Sequence, residues 1–396
     1  MKTKFNKMNE IKIVFVMALI TLLSFNVNAQ ENQNDETKII NFKPTIKING
    51  RIQYDYEFLN RAEEDEGLNE NEFRRVHFSA TGNVAKRLKY KIETDFAHGQ
   101  LGFRDVYLKY TTDKIGNFIV GSYTEPTSLN MVTSSKYISF NERAMLISLQ
   151  NFRWGSGLHY ENFGLFDGKI TFQMALTNNG LNDEGFVDHS LEDGMNFVAR
   201  TTTTILKDKE KNQIVHLGLN YDSRPYKDLK FRPENHLGDK YQYVFIDGEH
   251  RNSIGVELAS TFGPLSIQGE FKSQNIDAPN KSYIMQSYYA YASYFITGEH
   301  RPYKHASFGR VKPKKDIDNN GFGAVEVLAR YSNMNASKDV VDDNLGLPED
   351  INNISLGLNW YLNAHARLMY NYVITDDGND TLGNLNQHLL RVQIDF

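Results

Sequence analysis

The side chains with chemical capacity in this sequence are arginines and lysines placed two apart among carboxylates. Arg51, Arg75, Lys91, Lys109, Arg153, Arg330, Arg367 and Arg391 each stand in an alternating stretch, as do Lys47 and Lys89, whereas Lys136 and Arg143 lie in a longer polar segment. A planar guanidinium donates two parallel hydrogen bonds to an oxyanion, and an ammonium acts as a point charge. Held in a narrow place, such groups select anions. The same phase carries Asp55, Glu57, Glu93, Asp95 and Asp105, so each basic residue also has a plainer reading as the partner of a neighbouring acid.

Bond-making chemistry finds less support. Ser156 and His159 stand close in sequence but no orienting acid is identifiable, and no Gly-x-Ser-x-Gly occurs. Asp376-Asp377-Gly378-Asn379-Asp380 resembles a fragment of a calcium loop without its spaced terminal Glu, and so does the acidic run of Asp183, Glu184, Asp188, His189 and Glu192. Zinc spacing, a nucleotide fingerprint and a phosphate-binding glycine loop are all missing. Neither an enzyme nor a cofactor is expected. A binding scaffold built on outer loops such as 222–249 is a further alternative.

The basic residues owe their common phase to period-two alternation, the dominant signal along the chain. Ile354, Leu356, Leu358, Trp360 and Leu362 face one way, Ser355, Gly357, Asn359 and Tyr361 the other. Such a segment is close to the roughly 9–11 residues that a tilted strand needs to cross a hydrocarbon layer. Equivalent stretches lie near 46–58, 72–82, 88–97, 102–111, 116–124, 150–160, 168–178, 193–204, 213–223, 250–261, 264–275, 282–296, 322–333, 353–362, 365–374 and 386–396. Gly50 is read as a bend in the first of them. Sixteen is an even number, which brings both ends of a closed bacterial barrel to the periplasmic side.

Connections after odd strands tend to be long and polar, such as Asn60–Asn71 and Tyr221–His250. Those after even strands are mostly short, as at Gly82–Arg87 and Phe262–Pro264. Long outer loops and short periplasmic turns mark a membrane barrel. The exception is Thr297–Gly321. Its His300, Arg301, Lys304, His305, Arg310, Lys312, Lys314 and Lys315 either guide anions at the periplasmic mouth or form a solvated loop.

Composition agrees. Mean hydropathy is −0.52, which a barrel tolerates because only alternate strand residues meet lipid. With Cys 0, no disulfide staples the fold, so closed strand pairing or a large core must stabilise it. At the N-terminus Lys2, Lys4, Lys7 and Lys12 precede an apolar run, Ile13 to Phe25, and the small-residue pattern Val27-Asn28-Ala29, which reads as a secretory signal peptide cut before Gln30. The formal net charge is −5, and removing the net +3 of residues 1–29 leaves −8. That balance argues against nucleic acid as a partner. A soluble β-helix or sandwich explains the alternation but not a terminal aromatic strand, and no repeat of 20–50 residues supports a solenoid or propeller.

Several stretches resemble the phosphate-selective porin O and P family, in that family's order. They include Gly50-Arg51-Ile52-Gln53-Tyr54-Asp55, Phe73-Arg74-Arg75, Tyr90-Lys91-Ile92-Glu93-Thr94-Asp95, Thr133-Ser134-Ser135-Lys136, Glu142-Arg143-Ala144, Thr297-Gly298-Glu299-His300-Arg301-Pro302-Tyr303 and Leu356-Gly357-Leu358-Asn359-Trp360-Tyr361. The resemblance implies a homotrimer of sixteen-stranded barrels whose third outer loop folds into the lumen, with lysines and arginines there attracting phosphate. Strand counting places that loop at about 125–149. The resemblance further implies that a C-terminal strand ending in Phe396 is read by the barrel-assembly machinery.

The expectation is therefore an all-β, transmembrane antiparallel β-barrel over residues 46–396, preceded by a cleaved signal peptide at 1–29 and a short periplasmic segment at 30–45. It sits among outer-membrane lipids and forms a passive channel for phosphate and other small anions. A general porin without phosphate selectivity is the nearest alternative, and an outer-membrane lipid hydrolase or loop-based scaffold a more distant one.

Overall fold

The computed structural model describes residues 42–61, 67–97, 101–150, 154–178, 194–226, 228–245, 247–343, 347–378 and 383–396, without the side chains of residues 150 and 343. The signal peptide expected at 1–29, most of the 30–45 segment, Arg153 and the acidic run 183–192 lie outside the described residues. Residues 43–396 form one compact unit.

That unit is a closed antiparallel barrel. Its strands are β1 (Lys47–Arg61), β2 (Leu68–Asn83), β3 (Leu88–Asp95), β4 (Gly102–Thr111), β5 (Asn117–Thr124), β6 (Trp154–Leu165), β7 (Ile170–Asn178) and β8 (Asn196–Asp208). They continue with β9 (Gln213–Pro225), β10 (His250–Phe262), β11 (Leu265–Asp277), β12 (Ser282–Phe295), β13 (Ala324–Ala336), β14 (Asp350–Tyr361), β15 (Ala366–Asp376) and β16 (Leu385–Asp395). Each of the sixteen overlaps one of the alternating stretches. No described helix is long and apolar enough to cross a membrane, so in hydrocarbon the burden of backbone hydrogen bonding falls on the strands.

Closure joins β1 to β16 in a register that runs from Arg51 opposite Asp395 to Arg61 opposite Leu385. It ends on a reciprocal pair: Gly50 N–H donates to the Phe396 carbonyl at 3.0 Å, and Phe396 N–H returns a bond to Gly50 at 3.1 Å. Gly50 is not a bend. It lies in the paired strand, and a Cβ there would come within 2.4 Å of the Phe396 ring. Glycine is needed so that the terminal ring can lie flat on the first strand, an aromatic covering a glycine at the seam.

Alternation sorts the wall as expected. Leu390, Val392, Ile394 and Phe396 are exposed on the outside while Leu389, Arg391, Gln393 and Asp395 are buried within. The same division holds on β1, with Tyr54 and Tyr56 outside and Arg51, Gln53, Asp55 and Glu57 inside. An apolar, aromatic-rich band around a polar interior fits a bilayer on one side and water on the other.

Among the described residues, at least three connections turn into the barrel. The segment 125–149 folds into the lumen, as expected for the third outer loop. The outer loop 226–249 does so too: Asn235 donates to Gln387 at 2.8 Å and the His236 N–H to Glu57 at 3.0 Å. Met145 and Leu149 of the first loop share an apolar cluster with Leu229, Phe231, Tyr243 and Phe245 of the second and with Tyr283, Met285 and Ile351 of the wall. From the periplasmic end, part of the long turn 297–321 also enters. Arg301 stacks over Phe308 with its guanidinium 3.8 Å from the ring centre, and Phe308 packs on Leu129, Ile214 and Ala259. The solvated-loop reading of this turn therefore fails for its first half, which is a plug segment tied down where His216 meets Tyr303 at 2.7 Å. Lys304 and His305 remain exposed there.

Placing a β-branched side chain at the seam tests the role assigned to Gly50. Gly50→Val should displace the Phe396 ring and cost about 1–3 kcal/mol, the usual penalty of overpacking. The readout is a lower temperature at which the folded barrel converts to the unfolded band on a detergent gel.

Candidate functional site

Loop 125–149 divides the lumen, and its position follows from the wall residues that grip it. At its start, Glu270 of β11 accepts the backbone N–H groups of Leu129 and Asn130 at 3.0 and 2.8 Å. Farther along, Asn359 donates to the Ser139 carbonyl at 2.8 Å, Arg367 to that of Ile138 at 2.9 Å and Arg330 to that of Glu142 at 3.1 Å. Gln53 and Gln393 hold the carbonyls of Ser135 and Lys136 at 3.1 and 3.2 Å. A loop stripped of water inside a lumen must have its polar backbone groups satisfied, and these side chains do it.

Glu142 is the main clasp. It accepts two bonds from Arg74, at 2.9 and 3.1 Å, and one from Arg391 at 2.8 Å, with Arg75 4.0 Å away. Arg391 in turn holds Asp55 through Nε at 2.6 Å. Burial alone would push the Glu142 carboxyl up, but Arg74, Arg75 and Arg391 together hold it well below the usual carboxylate range. Its contribution to stability is therefore present above the ordinary glutamate pKa and is lost only as the pH falls toward the depressed one.

Among the described residues, two sizeable voids border the loop. The outer one, about 360 Å³, is lined by Arg74, Arg75, Arg104, Arg143, Lys230 and Arg232 against Asp95, Glu142 and Glu234. The inner one, about 790 Å³ and opening toward the periplasmic turns, is lined by Arg51, Lys89, Lys91, Lys109 and Lys114 against Glu93, Asp105, Asp113 and Glu161. Positive charge exceeds negative in both. This occurs in a chain whose formal net charge is −5, so basic groups are concentrated around the two voids.

The candidates from sequence separate by location. Arg51, Lys91 and Lys109 face the inner void, and Arg75 and Arg143 the outer one. Lys47 is exposed at the start of β1 and lines neither void. Arg330, Arg367 and Arg391 are buried and secure the loop instead; Arg330 pairs with Glu234 at 2.5 Å. Lys136 lies 3.7 Å from Asp395 in a small crevice near the β14–β15 turn, outside both voids. Burial, followed by the charge of Arg51, lowers the pKa of its ammonium. His159 bonds the Gly155 carbonyl at 3.0 Å through one ring nitrogen while the other makes no bond, so no pair with Ser156 is assembled.

Two void-lining arginines escape strict alternation. Between Gln53 and Tyr54 the β1–β2 register slips, leaving Arg74 as an extra residue. Both Arg74 and Arg75 then face the lumen. In the β3–β4 pair, Ile92 opposes Val106 but Thr94 opposes Phe103, so Arg104 and Asp105 share the place across from Glu93. Arg104 bonds Asp95 at 3.0 Å, and Lys91 bonds Asp105 at 2.7 Å. Bulges re-aim side chains in this way. The doublets Arg74-Arg75 and Arg104-Asp105 carry two charges in a row, and that was the only sequence signal. Lys230 and Arg232 had none, because their place depends on the inward fold of loop 226–249.

A profile of the family described as phosphate-selective porin O and P matches residues 46–396. Porin O of Pseudomonas aeruginosa is 26% identical over 390 residues, covering 86% of this chain and 86% of that protein. Among solved structures, an anion-selective porin from Comamonas acidovorans superposes with a TM-score of 0.59 at 11% identity, over 89% of this chain and 100% of that one. The trimer form of OmpT, an outer membrane protein of Vibrio cholerae, gives 0.55 at 13% identity, over 90% and 100%. These structural likenesses extend to the barrel fold.

Removing one charge of the clasp should release the loop. Glu142→Gln leaves Arg74 and Arg391 short of a carboxylate, a loss of about 3–5 kcal/mol for a broken buried pair. Trypsin should then cut at Lys136 and Arg143 in folded protein; resistance equal to wild type would deny Glu142 this role.

Proposed function

The chain belongs to the phosphate-selective porin O and P family, and from that premise we propose that this outer-membrane porin passes small anions by diffusion, with phosphate favoured. The observation that carries this reading is the outer void, where six guanidinium and ammonium groups face three carboxylates beside the inserted loop. Fixed positive charge in a confined, partly dehydrated space attracts an oxyanion more strongly than the same charge in open water. Arginine supplies most of it, and its paired donors match the oxygens of phosphate better than they match a spherical halide.

Two groups have distinct duties in this proposal. Arg74, Arg75, Arg104 and Arg143 receive the anion at the outer side. Nearer the periplasm Arg51 stands with Lys91 and Lys109, whose ammonium groups offer weaker, point-charge contacts, where binding has to loosen if the solute is to leave. The buried Arg330, Arg367 and Arg391 shape the path without meeting the solute. Removal of residues 1–29 on export, insertion by the barrel-assembly machinery through the strand ending at Phe396, and assembly as a trimer complete the proposal. The last draws support from the trimer form of the Vibrio cholerae relative in fold.

A second reading has its own observation. In the inner void five basic groups face four acidic ones, a near balance suited to a permissive channel. Phosphate block of chloride current separates the two. In planar bilayers at fixed chloride, added phosphate should reduce the current of the wild-type protein. Arg143→Gln should raise the phosphate concentration for half block about tenfold, the loss of one hydrogen bond to a charged group, and Arg143→Lys should recover part of it. Wild-type chloride current that ignores phosphate would favour the general porin.

A further inference from the structure

We infer that Trp154 forms the neck between the two voids and sets the size limit of the solutes that pass. It is half-buried and lines both voids. The other boundary residues divide between them: Arg104 faces the outer void and its neighbour Asp105 the inner, His77 the outer and its partner Glu93 the inner, Met131 the outer and Val132 the inner. The His77 and Glu93 side chains meet at 2.9 Å. The neck thus has walls from β2, β3, β4 and β6 and from the inserted loop, and Trp154 is its largest side chain.

The indole is fixed on two sides. Its Nε1–H donates to Asp105 at 2.9 Å, and the guanidinium of Arg104 lies 4.8 Å from the ring centre. Asp105 is also held by Lys91 and Arg104 by Asp95, both through bonds already described. An aromatic face resting on a cation is a stable arrangement, and a hydrogen bond at the ring edge prevents rotation out of the path. Such a wall presents an apolar surface beside a positive charge, so a solute must shed part of its hydration and fit the gap in order to move between the voids. Exclusion by this wall is steric. It rests on the two voids being the diffusion path and not on a preference for anions.

Neutral sugars therefore test it separately from selectivity. In liposome-swelling assays with sugars from pentoses to trisaccharides, Trp154→Ala should raise disaccharide entry relative to pentose entry by about twofold or more, as expected when a pore constriction is widened, while Trp154→Phe should stay close to wild type. An unchanged size limit in a folded Trp154→Ala barrel would overturn the proposal. A second measurement holds even if that variant does not fold. The sequence contains Trp 2, so Trp360→Phe leaves Trp154 as the sole indole. Its fluorescence should be quenched by acrylamide, which is small enough to enter the lumen, and hardly at all by the same amide carried on a polymer too large to enter. Equal quenching by both, or by neither, would place Trp154 off the path. A cation-selective reversal potential accompanied by the expected sugar results would defeat the anion reading and leave the neck intact.

Discussion

The structure depends on one constraint: no backbone N–H or C=O facing hydrocarbon can be left unpaired. Closure of β1 on β16 satisfies it, and the rest follows from that ring. A closed wall leaves alternate side chains no choice but lipid or lumen, which is why Tyr54 and Leu390 lie outside while Gln53 and Arg391 lie inside. The seam is finished by the last residue, whose backbone pairs with Gly50 and whose ring occupies the space that a side chain there would need. Enclosure also creates the next problem, because a ring of sixteen strands surrounds more space than a selective passage can use.

The lumen is narrowed by chain, from both ends. Loops 125–149 and 226–249 enter from the outer side and the first half of 297–321 from the periplasmic side. Each brings backbone groups that must be paired away from bulk water. Arginine is suited to this work for the same reason that it suits phosphate: a rigid, permanently charged fork reaches carbonyls and carboxylates alike. Side chains of one type therefore divide their tasks by position. Arg330, Arg367 and Arg391 are buried and spent on loop backbone and buried acids, while Arg75 borders open space, and so does Arg143 although it too donates to the loop carbonyls of Asn130 and Thr133. Electrostatics and mechanics are linked at Glu142, whose charge both fastens the loop and tempers the arginines around it.

Much of this was legible in the sequence because period two is a direct consequence of a wall with two faces. All sixteen strands, the phase of the clearest of them, and the place of the constricting loop could be read from alternation and loop length. Strand ends were less legible: the stretch 150–160 became Trp154–Leu165, and 193–204 became Asn196–Asp208, since the pattern fades where lipid no longer enforces it. Parity failed where pairing slips, so Arg74 and Arg104 were missed although they stand beside residues that were singled out. Parity also reports that a side chain faces inward and not what it meets there. That is why Arg391 and Lys91 looked equivalent, although one clasps a loop and the other borders the inner void. Lys136 belongs with them: its place on the inserted loop was foreseen, but its nearness to Asp395 depends on how the loop is turned.

The central claim is that fixed positive charge along the path, and not the negative charge of the whole chain, decides which ions pass. The zero-current potential across a planar bilayer separating unequal concentrations of potassium chloride tests it most directly. The account predicts a reversal potential close to the Nernst potential of chloride, diminishing as salt screens the lining charges. A reversal potential on the potassium side of zero would contradict it.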